Sequence, residues 1–172
     1  YTVVVTANDG NGGTVTQTFV WNVGNPAPVA AADSFAAVED DAAAVVGNAL
    51  GNDSDPDGDA LSAVVQSGVA GTNGGLFSIA ANGNVSFDPN GEFGDLAVGE
   101  MRTTSFTYTV VDADGATGTA TVTVTVTGTN DTPTTVGTIG ARTNNDGDTI
   151  SPLDVTGYFA DPDSSDVLTY TA

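Results

Sequence analysis

The clearest periodic signal in the chain is a strict alternation of threonine with small apolar residues from Thr119 to Thr127. A period of two places the threonines on one face of a β-strand and the alanine and valine side chains on the other. A second alternating run, Ser105 to Val110, precedes it, and Asp112 to Gly115 provides a short polar turn between them. The pattern predicts an antiparallel hairpin with one solvent-facing side.

The start of the chain repeats this hairpin pattern. Tyr1 to Ala7 is rich in β-branched residues, Asn8 to Gly13 contains turn-forming residues, and Thr14 to Val23 alternates again. One alanine-rich stretch, Val38 to Leu50, contains a Gly-Asn pair that favours strand and turn over helix. The chain is therefore predicted to be all-β.

Two proline-containing connectors divide the chain. They are Gly24 to Val29 after the first hairpin and Gly128 to Pro133 after the second. Proline beside Asn or Asp favours an extended, semi-rigid joint. We therefore expect the end of one domain in residues 1–25, a complete β-sandwich of about seven short strands in 26–131, and the start of a further domain in 132–172. On this division we expect the chain to be a fragment of a longer protein.

Composition removes most catalytic classes. The 172 residues include 22 Asp and Glu against 2 Lys and Arg, a formal net charge of −20, and contain neither His nor Cys. Histidine-dependent nucleophiles, thiol redox pairs and the usual zinc ligands are therefore excluded. The two basic residues, Arg102 and Arg142, are far apart in sequence, so we expect no nucleic-acid partner. The longest uncharged stretch, Ala60 to Phe87, is interrupted by polar residues, so we expect no membrane insertion.

The acidic residues concentrate in turns, a placement that suits a hard cation. Four of them alternate along one loop, namely Asp53, Asp55, Asp57 and Asp59. Two carboxylates suffice for a turn, whereas four this close repel one another unless a cation neutralises them. Ca²⁺ takes about six to eight oxygen ligands, and a loop of this kind can wrap it. The bidentate Glu of an EF-hand would fall at Val64, among β-branched residues, so the sequence predicts a calcium loop on a β scaffold.

Further oxygen ligands are predicted at similar positions. A second acidic loop repeats the first more loosely, the hairpin turns carry aspartates, and the connectors carry acidic and amide residues. These candidates are Asp161, Asp163 and Asp166 in the second loop, Asp9, Asp112 and Asp114 in the turns, and Asp33, Glu39, Asn130 and Asp131 at or near the connectors. Asp, Asn and Gly also form turns without metal, and that alternative stays open at each place. A cation at a connector would hold neighbouring domains in line.

Acid–base catalysis by paired carboxylates is the main enzymatic alternative, because glycosidases need two Asp or Glu at a suitable separation. No segment has the pattern of a pocket wall. Trp21 is the one tryptophan, and Phe77, Phe87, Phe106 and Tyr108 lie at strand spacing, which is typical of a core. The chain is therefore predicted to be non-enzymatic.

Several segments resemble the tandem VCBS or cadherin-like repeat of bacterial surface proteins. They span nearly all of residues 28–131 and are Pro28 to Ser34, Val38 to Asp40, Gly47 to Asp59, Ser105 to Asp112 and Thr121 to Thr132. The flanks resemble a dystroglycan-type cadherin-like repeat, with its last half at Tyr1 to Gly13 and its first half at Val155 to Asp163 and Leu168 to Tyr170. The family often has two adjacent acids where this chain has Ala32-Asp33, so one ligand of the family pattern is missing there.

The resemblance implies tandem Ig-like or cadherin-like antiparallel β-sandwiches of Greek-key topology, one complete and two partial. It further implies Ca²⁺-dependent folding and stiffening in an extender repeat of a long secreted RTX-type adhesin at the bacterial cell surface, supporting cell adhesion or biofilm formation. The expected partners are neighbouring repeats of the same chain and adjacent copies through the partial domains. Two alternatives stay open: a Ca²⁺-dependent carbohydrate- or protein-binding module, and an accessory domain of an extracellular hydrolase.

Overall fold

The computed structural model describes residues 1–171, and its regular structure is almost entirely β. In chain order the strands are β1 (Thr2–Asn8), β2 (Thr14–Val20), β3 (Asp33–Val38), β4 (Ala44–Asn48), β5 (Ser62–Ala63), β6 (Gln66–Ala70), β7 (Leu76–Ile79), β8 (Asn84–Asp88), β9 (Met101–Val111), β10 (Thr117–Thr127), β11 (Thr134–Thr135) and β12 (Phe159–Ala160). Two single turns of 3-10 helix, Ala49–Gly51 and Thr156–Tyr158, complete it. No helix within residues 1–171 has the length and apolar character needed to cross a membrane. The all-β prediction is confirmed.

Two four-stranded sheets form a sandwich in the middle of the chain. One sheet has the order β3-β10-β9-β5 and the other β4-β8-β7-β6. Their facing sides enclose a core in which the Phe77 ring lies 4.6 Å from the ring of Phe106 and 4.8 Å from that of Phe87. Aromatic side chains bury large apolar areas, so this cluster is the main source of cohesion between the two sheets.

The hairpin of β9 and β10 behaves as its alternation predicts. The two strands pair antiparallel over their whole length, with Val122 opposite Phe106 and Thr121 opposite Thr107. The valines at 122, 124 and 126 are fully buried, while the threonines between them are exposed or half-buried. One face of the hairpin therefore forms the core and the other faces solvent.

One strand pairing differs from the antiparallel arrangement expected throughout. β3 runs parallel to β10, with Asp33 opposite Val122 and Val38 opposite Thr127. Short turns join only antiparallel neighbours, whereas strands far apart in sequence have a connection long enough for a crossover. This pairing brings Asp33 to the end of the sandwich where the β9–β10 turn lies, and Glu39 to the opposite end.

The flanking segments form smaller sheets. β1 and β2 pair antiparallel over seven residues, from Thr2 opposite Val20 to Asn8 opposite Thr14, and nearly every residue of both strands is exposed. β11 and β12 pair over two residues each, with Thr134 opposite Ala160 and Thr135 opposite Phe159. The domain limits 1–25, 26–131 and 132–172 stay a prediction.

Candidate metal centres at the two ends of the sandwich

Most of the predicted ligands lie toward one of two opposite ends of the sandwich. We call the end beside the first connector the entry end; it contains the loop from Asn52 to Asp59 and the β9–β10 turn. We call the other the exit end; it contains Glu39 and the second connector. Two contacts tie the first connector to the entry end: Val29 exchanges backbone hydrogen bonds with Ser54, and the Asn25 side chain donates to Asp112 at 2.9 Å.

At the entry end, Asp55, Asp57 and Asp59 bring one carboxylate oxygen each within 4.8 Å of the others. We call these three residues the entry cluster. Asp55 Oδ1 accepts hydrogen bonds from the backbone N–H groups of Asp57, at 3.0 Å, and Asp59, at 3.3 Å. Gly58 allows this curl because its φ of 88° lies in the left-handed region. The other oxygen, Asp55 Oδ2, is buried without a hydrogen-bond partner.

The closeness of the three carboxylates shifts the pKa values of the entry cluster. When one of the two carboxyl groups is protonated, Asp57 and Asp55 share a side-chain hydrogen bond, and this bond together with desolvation raises the pKa of Asp57 to about 6. The same hydrogen bond lowers the pKa of Asp55. Desolvation, followed by the charges of Asp114, Asp55 and Asp112, raises the pKa of Asp59. Shifts of this kind are expected where desolvated carboxylates lie close together without a neutralising positive charge.

At the exit end, three residues from separate parts of the chain meet. Glu39, Asp131 and Asp163 bring one carboxylate oxygen each within 4.8 Å of the others. We call them the exit cluster. Glu39 and Asp163 are only 4% and 2% exposed. Glu39 Oε1 accepts from the Thr129 N–H at 2.6 Å, and Asp163 Oδ2 accepts from the Asp131 N–H at 3.0 Å.

A second group adjoins the exit cluster and shares one of its members. Asp161, Asp163 and Asp166 also have carboxylate oxygens within 4.8 Å of one another. Desolvation and the charges of Asp40, Asp163 and Asp161 raise the pKa of Asp131. Asp163 thus stands between two acidic groups, as a carboxylate that bridges two cations would.

Orphaned oxygens test whether these residues fit a cation. Among the described residues, four buried side-chain oxygens lack a hydrogen-bond partner. Three of them belong to the acidic groups: Glu39 Oε2, Asp55 Oδ2 and Asp163 Oδ1. Leaving a buried carboxylate oxygen unpaired is costly, and such oxygens are normally bound to a donor or a metal. Hard carboxylate oxygens without nitrogen or sulfur ligands match Ca²⁺.

Two predicted ligands have a different partner. The hydroxyl of Tyr108, a fully buried side chain, lies 3.0 and 3.1 Å from the carboxylate oxygens of Asp53 and 3.3 Å from Asp33 Oδ2. Asp53 Oδ1 also accepts from the Ala31 N–H at 2.7 Å. Desolvation raises the pKa of Asp33. Asp53 thus ties the segment that leads into β3 to the buried Tyr108, and it stands apart from the entry cluster.

The remaining predicted ligands form local hydrogen bonds. Asp9 Oδ1 accepts from the N–H groups of Asn11 and Gly13, which lowers the pKa of Asp9 and accounts for it as a turn former. Asp112 Oδ1 likewise accepts from the N–H groups of Asp114 and Ala116. The side chain of Asn130 donates to the backbone carbonyl of Asp131.

Asp40, next to Glu39 in the sequence, also lies at the exit end. Asp40 Oδ2 accepts from the Thr129 hydroxyl at 2.8 Å, and its charge acts on Asp131. Sequence spacing does not show that the second connector returns to this corner.

Cadherin-like proteins are similar to this chain. The model of a family described as the bacterial cadherin-like domain matches residues 25–128. A solved structure described as the protocadherin gammaB7 EC3-6 cis-dimer is 16% identical, and the match covers 81% of this chain and 35% of that one, with a TM-score of 0.43. The chain thus corresponds to about a third of that protocadherin chain. No curated protein matches it.

Proposed function

The chain belongs to the family of bacterial cadherin-like domains, and from that premise we propose that it is a structural, non-enzymatic extender segment, folded and stiffened by Ca²⁺. The ions bind at the entry and exit ends of its sandwich. In the finer form of the proposal, the segment is a VCBS-type repeat of a secreted RTX-type adhesin. It spaces a binding region away from the bacterial cell surface and so supports adhesion or biofilm formation.

One observation carries the proposal: the three unpaired buried carboxylate oxygens all lie in acidic groups at the ends of the sandwich. Without a cation, each end holds close negative charges with few compensating donors. The formal net charge of −20 adds repulsion across the whole molecule. A divalent ion at each end removes both penalties at once, so binding and folding are coupled.

The proposed ligands follow from the geometry. At the entry end they are the entry cluster, with Asp112 and Asp114 close enough for their charges to act on Asp59. At the exit end they are the exit cluster and its neighbours Asp161 and Asp166. The exit cluster joins Glu39 of the sandwich to Asp163, which lies beyond the second connector. An ion bound there therefore restricts the angle between the sandwich and the segment that follows the connector.

Neighbouring repeats are the proposed partners. β1 and β2 expose apolar residues on both faces, including Val4 and Phe19, and Trp21 directly after β2 is exposed as well. Residues 133–171 carry an apolar groove of about 690 Å³ lined in part by Ile139, Leu153 and Phe159. Exposed apolar surface of this extent is normally covered by another domain. Repeats of the same chain, or adjacent copies, would cover it.

A thermal melt with calcium, chelator and magnesium tests the proposal. Ligands that bind only the folded state raise the midpoint in proportion to the logarithm of their concentration. We expect millimolar Ca²⁺ to raise the melting midpoint well above that in chelator. Mg²⁺ at matched ionic strength should raise it far less, because Mg²⁺ resists dehydration and needs stricter geometry. Equal midpoints in all three solutions would show that the aspartates are turn formers and that the proposal is wrong.

A further inference from the structure

The segment from Pro89 to Glu100, which joins β8 to β9, is packed against the sandwich at the exit end. We call it the exit loop. Four of its residues are buried: Phe93 is fully covered, Leu96 and Ala97 are 5% and 6% exposed, and Pro89 is buried as well. The Phe93 ring meets the Phe87 ring edge-on at 6.2 Å. The exit loop is therefore part of the folded sandwich rather than a loose connection.

The exit loop also holds the second connector. The Gly128 N–H donates to the Glu100 carbonyl at 2.8 Å, and the Gly99 N–H donates to the Gly128 carbonyl at 3.2 Å. A side chain at Gly128 would collide with the carbonyl oxygens of Leu96 and Ala97. Glycine is required there because two backbone segments lie in direct contact.

Beyond the connector, the exit loop reaches the second acidic loop. The Asp95 carbonyl accepts a hydrogen bond from the Ser164 N–H at 3.1 Å, directly beside Asp163. A Cβ atom at Gly94 would lie 3.5 Å from a carboxylate oxygen of Asp131. The exit loop thus lies beside Asp131 and hydrogen-bonds to the residue that follows Asp163, so it is close to both segments that complete the exit cluster with Glu39. These contacts need no cation.

Arg102 fixes the position of Asp95 within this loop. Its guanidinium donates to Asp95 Oδ2 at 2.6 Å, lies 5.7 Å from the centre of the Phe93 ring, and donates to the Glu92 carbonyl at 3.5 Å. The ion pair lowers the pKa of Asp95 and raises that of Arg102. Arg102 is one of two basic residues in the whole chain, and it stands where the chain leaves the sandwich.

We propose that Arg102 is a positioning residue for the exit cluster: by holding Asp95 through the ion pair, it orients the segment containing Asp163 toward Glu39. This inference rests on the proposed function, because it assigns the exit loop to the same joint. The exit loop sets the direction of the second connector before an ion binds, and the bound ion then restricts its movement. We call this effect of the ion the calcium lock. Such preorganisation lowers the ordering cost of binding.

A distance measurement across the joint tests this inference. The chain has no cysteine, so Thr107→Cys on β9 and Ser151→Cys beyond the connector, both exposed positions, can carry spin labels without background. Pulsed electron resonance then gives the distance distribution in chelator and along a Ca²⁺ titration. The test variant is Arg102→Gln. Arg142→Gln is the matched control, because it makes the same charge change away from the exit loop.

We expect Arg102→Gln to broaden the distance distribution in chelator. It should also raise the Ca²⁺ concentration at the midpoint of the narrowing by about two- to fivefold, the range for a partly exposed ion pair. Asp95→Asn should act in the same direction because it also removes the ion pair. It keeps the backbone carbonyl that accepts from Ser164, and it replaces Arg102→Gln if that variant fails to fold. Arg102→Lys, which keeps the charge, should recover part of the parent's narrow distribution. Arg142→Gln should match the parent.

The outcomes separate the two proposals. If the parent distribution ignores Ca²⁺ but Arg102→Gln broadens it in chelator, the calcium lock is wrong and the role of the loop stands. If Ca²⁺ narrows the parent while Arg102→Gln and Arg142→Gln behave alike in both solutions, the positioning role of Arg102 is wrong and the calcium lock stands. If neither change occurs, both are wrong.

Discussion

The two ends of the sandwich carry acidic groups of similar composition but different construction. The entry cluster comes from a single loop, with its three aspartates at alternate positions. The exit cluster brings together the end of β3, the second connector and the loop after β12. Two of its three members are nearly inaccessible to solvent, whereas Asp57 of the entry cluster is exposed.

This difference separates two uses of a cation. Under the proposed function, an ion in the entry cluster would neutralise mainly one loop, with Asp112 and Asp114 of the β9–β10 turn beside it. An ion in the exit cluster binds only when the chain beyond the second connector is in place, because Asp163 supplies a ligand from there. Under the proposed function, binding energy at the exit end would therefore restrict the joint, whereas binding at the entry end would mainly stabilise its loop.

Removing the shared ligand should have the largest effect on this contrast. We expect Asp163→Asn to abolish the narrowing of the joint by Ca²⁺, because it takes a charge from both acidic groups at the exit end. Affinity there should fall about tenfold or more, since Ca²⁺ sites depend on ligand charge. Asp55→Asn is the matched variant at the entry end. Calorimetric titration would measure the Ca²⁺ affinity of each variant, and the spin-labelled pair would measure the width of the distance distribution across the joint.

The converse result would break the contrast. If Asp55→Asn disturbed the joint as much as Asp163→Asn does, the entry cluster would not be local, and the two ends would have to be coupled through the sandwich.

The effect of Glu39→Gln on the free energy of unfolding should have opposite signs in chelator and in Ca²⁺. Glu39 Oε2 is buried and unpaired, so in chelator the neutral amide relieves a buried charge. We expect the free energy of unfolding in chelator to rise by about 1 kcal/mol. In Ca²⁺ the same variant should be less stable than the parent, because a ligand charge is lost. Urea unfolding in the two solutions measures both values, and a loss of stability in chelator as well would contradict the empty-site penalty.

The smallest expected effect is that of pH, which should change stability and Ca²⁺ affinity at the entry end. The pKa of Asp57 is raised from 3.8 to about 6, so the folded protein holds a proton there that the unfolded chain releases. That stabilising contribution is complete below about pH 4 and is lost as the pH rises through about 6. The lowered pKa of Asp55 acts in the opposite direction, so the net effect of the pair is smaller.

Proton and calcium compete for the same carboxylates. Entry-end affinity should therefore fall by up to about tenfold per unit below pH 6. Titrating Asp163→Asn, which isolates the entry end, at pH 7.5 and pH 5 measures this fall. Asp57→Asn should flatten it. An unchanged affinity in the parent sequence over that range would exclude the shared proton.

The strands illustrate what a periodic sequence can predict. Alternation identified β2, β9 and β10, because the pleat forces a period of two, although it missed the first four residues of β9 and extended β2 by three; a β-branched run identified β1. It did not distinguish the two hairpins. β10 buries its valines, whereas β2 has the same pattern and is exposed along its whole length. Burial depends on what lies opposite a strand, and the strand itself does not contain that information.

The acidic residues divide in the same way. Sequence by itself determined the all-β class, the large negative charge and the closeness of the entry-loop aspartates, because residues two apart on a tight turn must lie close together. Only the tertiary structure decided that Asp53 would hold Tyr108 instead of joining its neighbours. It also decided that Glu39, Asp131 and Asp163 would meet. Local spacing is fixed by the backbone, whereas contacts between distant segments are set by how the sheets pack and where the connectors leave them.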